Sequence, residues 1–79
     1  MKVDIISAER IVYSSDEVDV IIVPGIEGYL GILPHHAPLI TAIKPGDITI
    51  RKDGAEAILP VSGGFIEVMD NKVTVLADE

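Results

Sequence analysis

The chain has 79 residues, a formal net charge of −7 and no cysteine. That size allows one small domain burying only about 60% of its unfolded surface, and the lack of cysteine excludes disulfides, thiol nucleophiles and thiolate metal sites. With six basic residues and no basic stripe to neutralise phosphates, nucleic-acid binding is excluded.

The apolar residues are mainly Ile, Val, Leu and Ala, with Tyr13, Tyr29 and Phe65 as the aromatics. No apolar run approaches the roughly 20 residues that cross a bilayer, so direct membrane insertion is not expected. "MKVDIISAER" carries acids early and lacks the apolar core of a signal peptide.

Lys2–Ser7 reads as a first strand with Val3 and Ile5 on one face, and Arg10–Tyr13 as the start of a second. "SSDE" (Ser14–Glu17) predicts a turn, because Ser and Asp bond locally to the backbone. "VDVIIVPG" (Val18–Gly25) is a β-branched strand stopped by Pro24-Gly25. Gly25, Gly28 and Gly31 follow at a spacing of three. A helix would lose about 1 kcal/mol at each, so a loop and then a short strand at Leu30–Leu33 are expected. Ala37–Ile43 is a further extended segment. "KPGD" (Lys44–Asp47) has the Pro-Gly order of a type II turn. "ITIR" alternates, and Asp53-Gly54 signals a hairpin. Pro60 demotes "EAILPVS" to an edge or a bulge. "SGG" (Ser62–Gly64) allows a close crossing, and "FIEVM" pairs with "KVTVLA" across Asp70-Asn71. The result is an all-β sandwich or barrel of about ten short strands in a single domain over 1–79, with no helical periodicity.

His35-His36 is the first candidate site. Adjacent side chains on extended backbone point to opposite faces, and no His-x-His or His-x-x-x-His spacing supplies a ligand set. A half-buried imidazole that fixes a Pro-bounded loop is the reading favoured over a metal ligand. The glycines at 25, 28 and 31 and "SGGF" lack the following helix of a phosphate cradle. No serine sits in a Gly-x-Ser-x-Gly elbow. The acids fall mainly in turns and at alternating positions, with Glu67 between Ile66 and Val68 expected to face water. No catalytic residue, metal or cofactor is therefore assigned. What remains is a Pro-stiffened apolar surface over "GYLGILPHHAPLITAIKPG", where Tyr29 is either a contact residue or a core cap.

"EGYLGILPHHAPLITAIKPGDITI" (Glu27–Ile50), "VSGGFIEVMDNKVTVLADE" (Val61–Glu79) and "DIISAERIVYS" (Asp4–Ser14) together resemble the epsilon subunit family of bacterial F-type ATP synthase, called delta in mitochondria. The motifs G-x-L-P-x-H-A-P, K-P-G, G-G-F-x-E-V and V-T-V-L-A-D occur in family order, and the resemblance covers essentially the whole chain. It implies an N-terminal flattened β-sandwich without the C-terminal helical hairpin that normally follows. It further implies a non-catalytic central-stalk subunit that couples ion-driven rotation to ATP synthesis, packed on the gamma subunit and resting on c-ring loops. The place so implied is the cytoplasmic face of the bacterial inner membrane, peripherally, within the F1 sector. By resemblance, Glu27, Gly28, Tyr29 and His36 face the c-ring, and Ser7, Leu39, Thr41 and Ala42 face gamma. Many members carry an acidic or polar residue at position 29 and Gly or Asn at position 35, so only His36 matches the motif. The alternative from composition alone is an acidic β-sandwich module for another protein partner.

Overall fold

A computed structural model of the chain describes residues 1–78. They form nine strands: β1 (Lys2–Ile6), β2 (Ile11–Ser15), β3 (Val20–Gly25), β4 (Gly28–Ile32), β5 (Leu39–Ile43), β6 (Gly46–Lys52), β7 (Ala55–Val61), β8 (Gly63–Met69) and β9 (Lys72–Asp78). The expected all-β architecture holds, with one strand fewer than the approximate count from sequence.

The strands make one curled sheet in the order β2-β1-β9-β8-β5-β3-β6-β7, with β4 on the other side of β3. It folds into two walls. One is β2-β1-β9-β8-β5; the other is β4-β3-β6-β7. Between them the path from β5 to β3 rests on the single pair Gly25↔Ile43. The apolar members of each alternating strand point between the walls: Val3 and Ile5 of β1, Ile48 and Ile50 of β6, Ile66 and Val68 of β8, Val73 and Val75 of β9. This period-2 alternation is what a half-buried strand requires. Among the described residues no polar or charged residue is buried, so the core is purely aliphatic.

The two hairpin signals act as read. Asp53 and Gly54 take φ of 52° and 77°, and Asp70 and Asn71 take 51° and 59°. Positive φ at both central residues is the condition for a type I′ turn, whose twist matches that of its strands. Among the described residues β7 pairs with β6 alone, so Pro60 lies on an edge strand, where proline is tolerated.

Several expectations shift. Ser14 and Ser15 belong to β2, not to a turn. They pair with Asp4 and Val3, and the Ser14 hydroxyl donates to Asp4 Oδ1 across the strands at 2.6 Å, so the bend begins at Asp16. β3 starts at Val20, and β4 starts at Gly28 instead of Leu30. The Lys44–Asp47 corner is not a type II turn, because Gly46 is not among the positive-φ glycines. Gly46 instead serves close packing, since a Cβ there would lie 3.1 Å from Pro24 Cβ.

The crossing expected at Ser62–Gly64 is the tightest point of the fold. Gly64 has φ +139°, and a Cβ on it would collide with the carbonyl of Leu76. Gly31, in contrast, has open space around its Cβ position. Gly64→Ala is expected to cost about 2 kcal/mol or more, roughly a 10 °C fall in Tm for a domain of this size. Gly31→Ala should leave Tm within a few degrees. Thermal unfolding followed by circular dichroism checks both.

Candidate functional site

The outward face of the β2-β1-β9-β8-β5 wall carries a continuous group of exposed apolar side chains. Register places its residues in rows. Ala42 pairs with Phe65, Phe65 with Leu76, Leu76 with Ile6 and Ile6 with Ile11. One apolar line therefore crosses five strands. Phe65 is 58% exposed and Leu76 56%. Ile40, one pleat along β5 from Ala42, is 68% exposed. Of the nine large hydrophobics that are exposed, Ile11, Ile40, Phe65, Met69 and Leu76 lie on this face. Such a concentration marks an interaction surface better than scattered single residues do.

The next row is Ile40, Glu67, Thr74, Asp4 and Ser14. Asp4 is well partnered: it accepts from Ser14 at 2.6 Å and lies 3.9 Å from Lys2 Nζ and 3.8 Å from Lys72 Nζ. Lys2 also donates to Asp16 Oδ1 at 3.0 Å. That hydrogen bond, with the attraction of the two charges, holds the Asp16 carboxyl below the usual carboxylate range and raises the Lys2 ammonium. A shallow apolar cleft of about 280 Å³ opens beside Ile40, Phe65, Glu67, Thr74 and Leu76.

A second surface lies at the β3–β4 turn. Gly25 pairs with Gly28, leaving Ile26 and Glu27 exposed at the tip, and Gly28 takes φ +134°. Tyr29 pairs with Pro24 and is 64% exposed, so it is not a core cap. A groove of about 330 Å³ runs beneath this turn, lined by Ile26 to Leu30 with Leu39 and Thr41.

The residues assigned by resemblance are therefore regrouped. Glu27, Gly28 and Tyr29 share the turn, as expected. Leu39 and Thr41, assigned to the gamma side, line the groove beneath that turn. The reason is the alternation of β5, which turns Leu39 and Thr41 away from the face that carries Ile40 and Ala42. Ala42 belongs to the outward row. Ser7 borders it, sharing a groove with Ile6, Phe65 and Leu76, and its backbone N–H donates to the Arg10 carbonyl at 2.9 Å in the β1–β2 turn. None of Ile6, Ile11, Ile40, Phe65 and Leu76 is singled out from the sequence, and Glu67 is expected there only to face water, where it is. The Asp70-Asn71 turn does make the Phe65–Leu76 pairing readable from sequence, whereas the parallel β1–β9 pairing has no local signal.

His36 stands in the β4–β5 loop, apart from the groove-lining residues. Its backbone N–H donates to Leu33 at 3.2 Å, and its ring Nδ1 donates to the Ala37 carbonyl at 2.7 Å. The ring is exposed, not half-buried as expected, and both bonds stay within the loop. His35 has φ 65° and donates its backbone N–H to Asn71 Oδ1 at 2.8 Å, tying this loop to the β8–β9 turn. Left-handed backbone explains why a family would place Gly or Asn here. Among the described residues no group of three His, Asp or Glu is placed to hold a metal ion. His35→Gly should stabilise the domain by about 0.5–1 kcal/mol and His35→Val destabilise it by about 1–2 kcal/mol, as read from urea unfolding midpoints.

Residues 1–79 match the family described as ATP synthase, Delta/Epsilon chain, beta-sandwich domain. An ATP synthase epsilon chain of Dehalococcoides mccartyi is 54% identical over 78 residues, covering 99% of this chain and 55% of the relative. One from Leptospira interrogans is 49% identical over 78 residues, covering 99% and 61%. The chain thus spans little more than half the length of these relatives. Among solved structures, a chain of the Euglena gracilis mitochondrial ATP synthase superposes with TM-score 0.91 at 23% identity, covering 98% of this chain and 49% of that one. A chain of the Tetrahymena thermophila mitochondrial ATP synthase central stalk/c-ring gives TM-score 0.85 at 19% identity, covering 100% and 63%. At those identities the likeness is one of fold.

Proposed function

The chain belongs to the ATP synthase delta/epsilon-chain β-sandwich family, and from that premise we propose that it is a non-catalytic module of the central stalk of an F-type ATP synthase. In this reading it links the gamma subunit to the c-ring loops and passes rotation between them. The observation that carries the proposal is the apolar row from Ala42 to Ile11, which a partner must cover for the free energy of burial to be gained. We assign that face, bordered by Ser7, to gamma. The exposed turn of Glu27, Gly28 and Tyr29, with the groove lined by Leu39 and Thr41, is assigned to the c-ring. His36 acts by fixing the β4–β5 loop. Its place would be the cytoplasmic side of the bacterial membrane, peripherally within the F1 sector, in keeping with the bacterial relatives.

The stalk role asks for stiffness and adhesion, not chemistry. Short loops and an aliphatic core supply the first. Two surfaces on opposite faces of β5 supply the second.

Titration of the purified gamma subunit into the wild-type domain is expected to give saturable one-to-one binding. Leu76→Arg places a charge in the row and should weaken binding at least about tenfold. Tyr29→Ala should leave it unchanged. Loss of gamma binding in Tyr29→Ala with Leu76→Arg unaffected would overturn the assignment of faces. Absence of wild-type binding would overturn the stalk reading.

A further inference from the structure

Glu67 is the unusual member of the outward face. It sits in the cleft between Ile40, Phe65 and Thr74, and its neighbours across the strands are Ile40 and Thr74. Lys72 lies diagonally from it on β9, but Lys72 reaches the other way, toward Asp4 at 3.8 Å. Lys2, the other lysine of this wall, is held by Asp16 at 3.0 Å with Asp4 at 3.9 Å. Among the described residues Glu67 has no hydrogen bond or ion pair.

A partner seated on Ile40, Phe65 and Leu76 also covers Glu67, because all four line one cleft. Covering an ionised carboxylate without a counter-charge forfeits its hydration with nothing in return. Placing a cation over it converts the same burial into a charge-assisted contact and fixes the register of the two surfaces. We propose that Glu67 is a specificity residue of this face: it selects a protein partner that presents a lysine or arginine beside a large apolar side chain inserted in the cleft. The inference rests on the reading of this face as the gamma-docking surface. It adds the chemistry that the gamma side must show at that point.

The test is binding of purified gamma subunit to wild type, Glu67→Gln, Glu67→Lys and Phe65→Ala at two salt concentrations. All three changes are at exposed side chains, and unchanged melting temperatures confirm that the variants fold. Glu67→Gln should bind about three- to tenfold more weakly and lose part of the salt dependence. Glu67→Lys should bind more than about tenfold more weakly. Phe65→Ala should weaken binding about tenfold while keeping the wild-type salt dependence. Wild-type affinity and salt dependence in both Glu67 variants, with Phe65→Ala still impaired, would overturn the inference and leave the docking face standing. Failure of wild type itself to bind gamma would overturn both.

Discussion

The fold depends on one backbone constraint, the line Gly25–Ile43–Gly64–Ala77 where the two walls meet. β3 touches β5 at a single pair before the chain turns into β4. At the same level β8 crosses β9 so closely that no side chain fits at position 64. Holding the walls together there lets aliphatic side chains from both fill the space between them. It also decides which side of β5 faces what. Leu39 and Thr41 go toward the groove under the β3–β4 turn, and Ile40 and Ala42 go outward. Both candidate docking surfaces follow from that one strand's alternation.

Electrostatics divides the outward face further. A chain of net charge −7 has few cations to distribute, and this wall sets Lys72 beside Asp4 and Lys2 between Asp16 and Asp4. Those pairs are solvent-exposed or nearly so, so each contributes little to stability. Their effect is on pattern: the polar half of the face is internally balanced, while the apolar half carries Glu67 within its cleft and Asp78 at its border. On the stalk reading, the apolar row supplies affinity and the charge of Glu67 supplies register, with hydrophobic and electrostatic roles kept apart.

Much of the fold was legible in the residues because its signals are local. Asp53-Gly54 and Asp70-Asn71 are turn pairs that tolerate positive φ, and the alternation of "FIEVM" and "KVTVLA" sorts buried from exposed positions directly. Ser62–Gly64 was readable as a close crossing for the same reason. The misreadings fall where tertiary contacts override local preference. Ser14 satisfies its hydroxyl across strands on Asp4, so a turn-favouring residue sits in a strand. Gly46 is selected by packing against Pro24, and not by turn geometry. The candidate site was only half legible. The hairpin tip at Glu27–Tyr29 declares itself by glycine and exposure, but the apolar row needs the parallel pairing of the two chain ends, and nothing near Ile6 or Leu76 announces that.

On the stalk reading, gamma covers the outward face of the β2-β1-β9-β8-β5 wall. The most direct test is methyl-resolved NMR of the isotopically labelled domain on addition of purified gamma subunit, because exposed aliphatic residues lie on every side of the molecule. Shifts concentrated at Ile6, Ile11, Ile40 and Leu76, with Ile26, Leu33 and Ile58 unmoved, are the predicted result. Shifts centred on Ile26, Leu33 or Ile58, with the row from Ile40 to Ile11 silent, would contradict it.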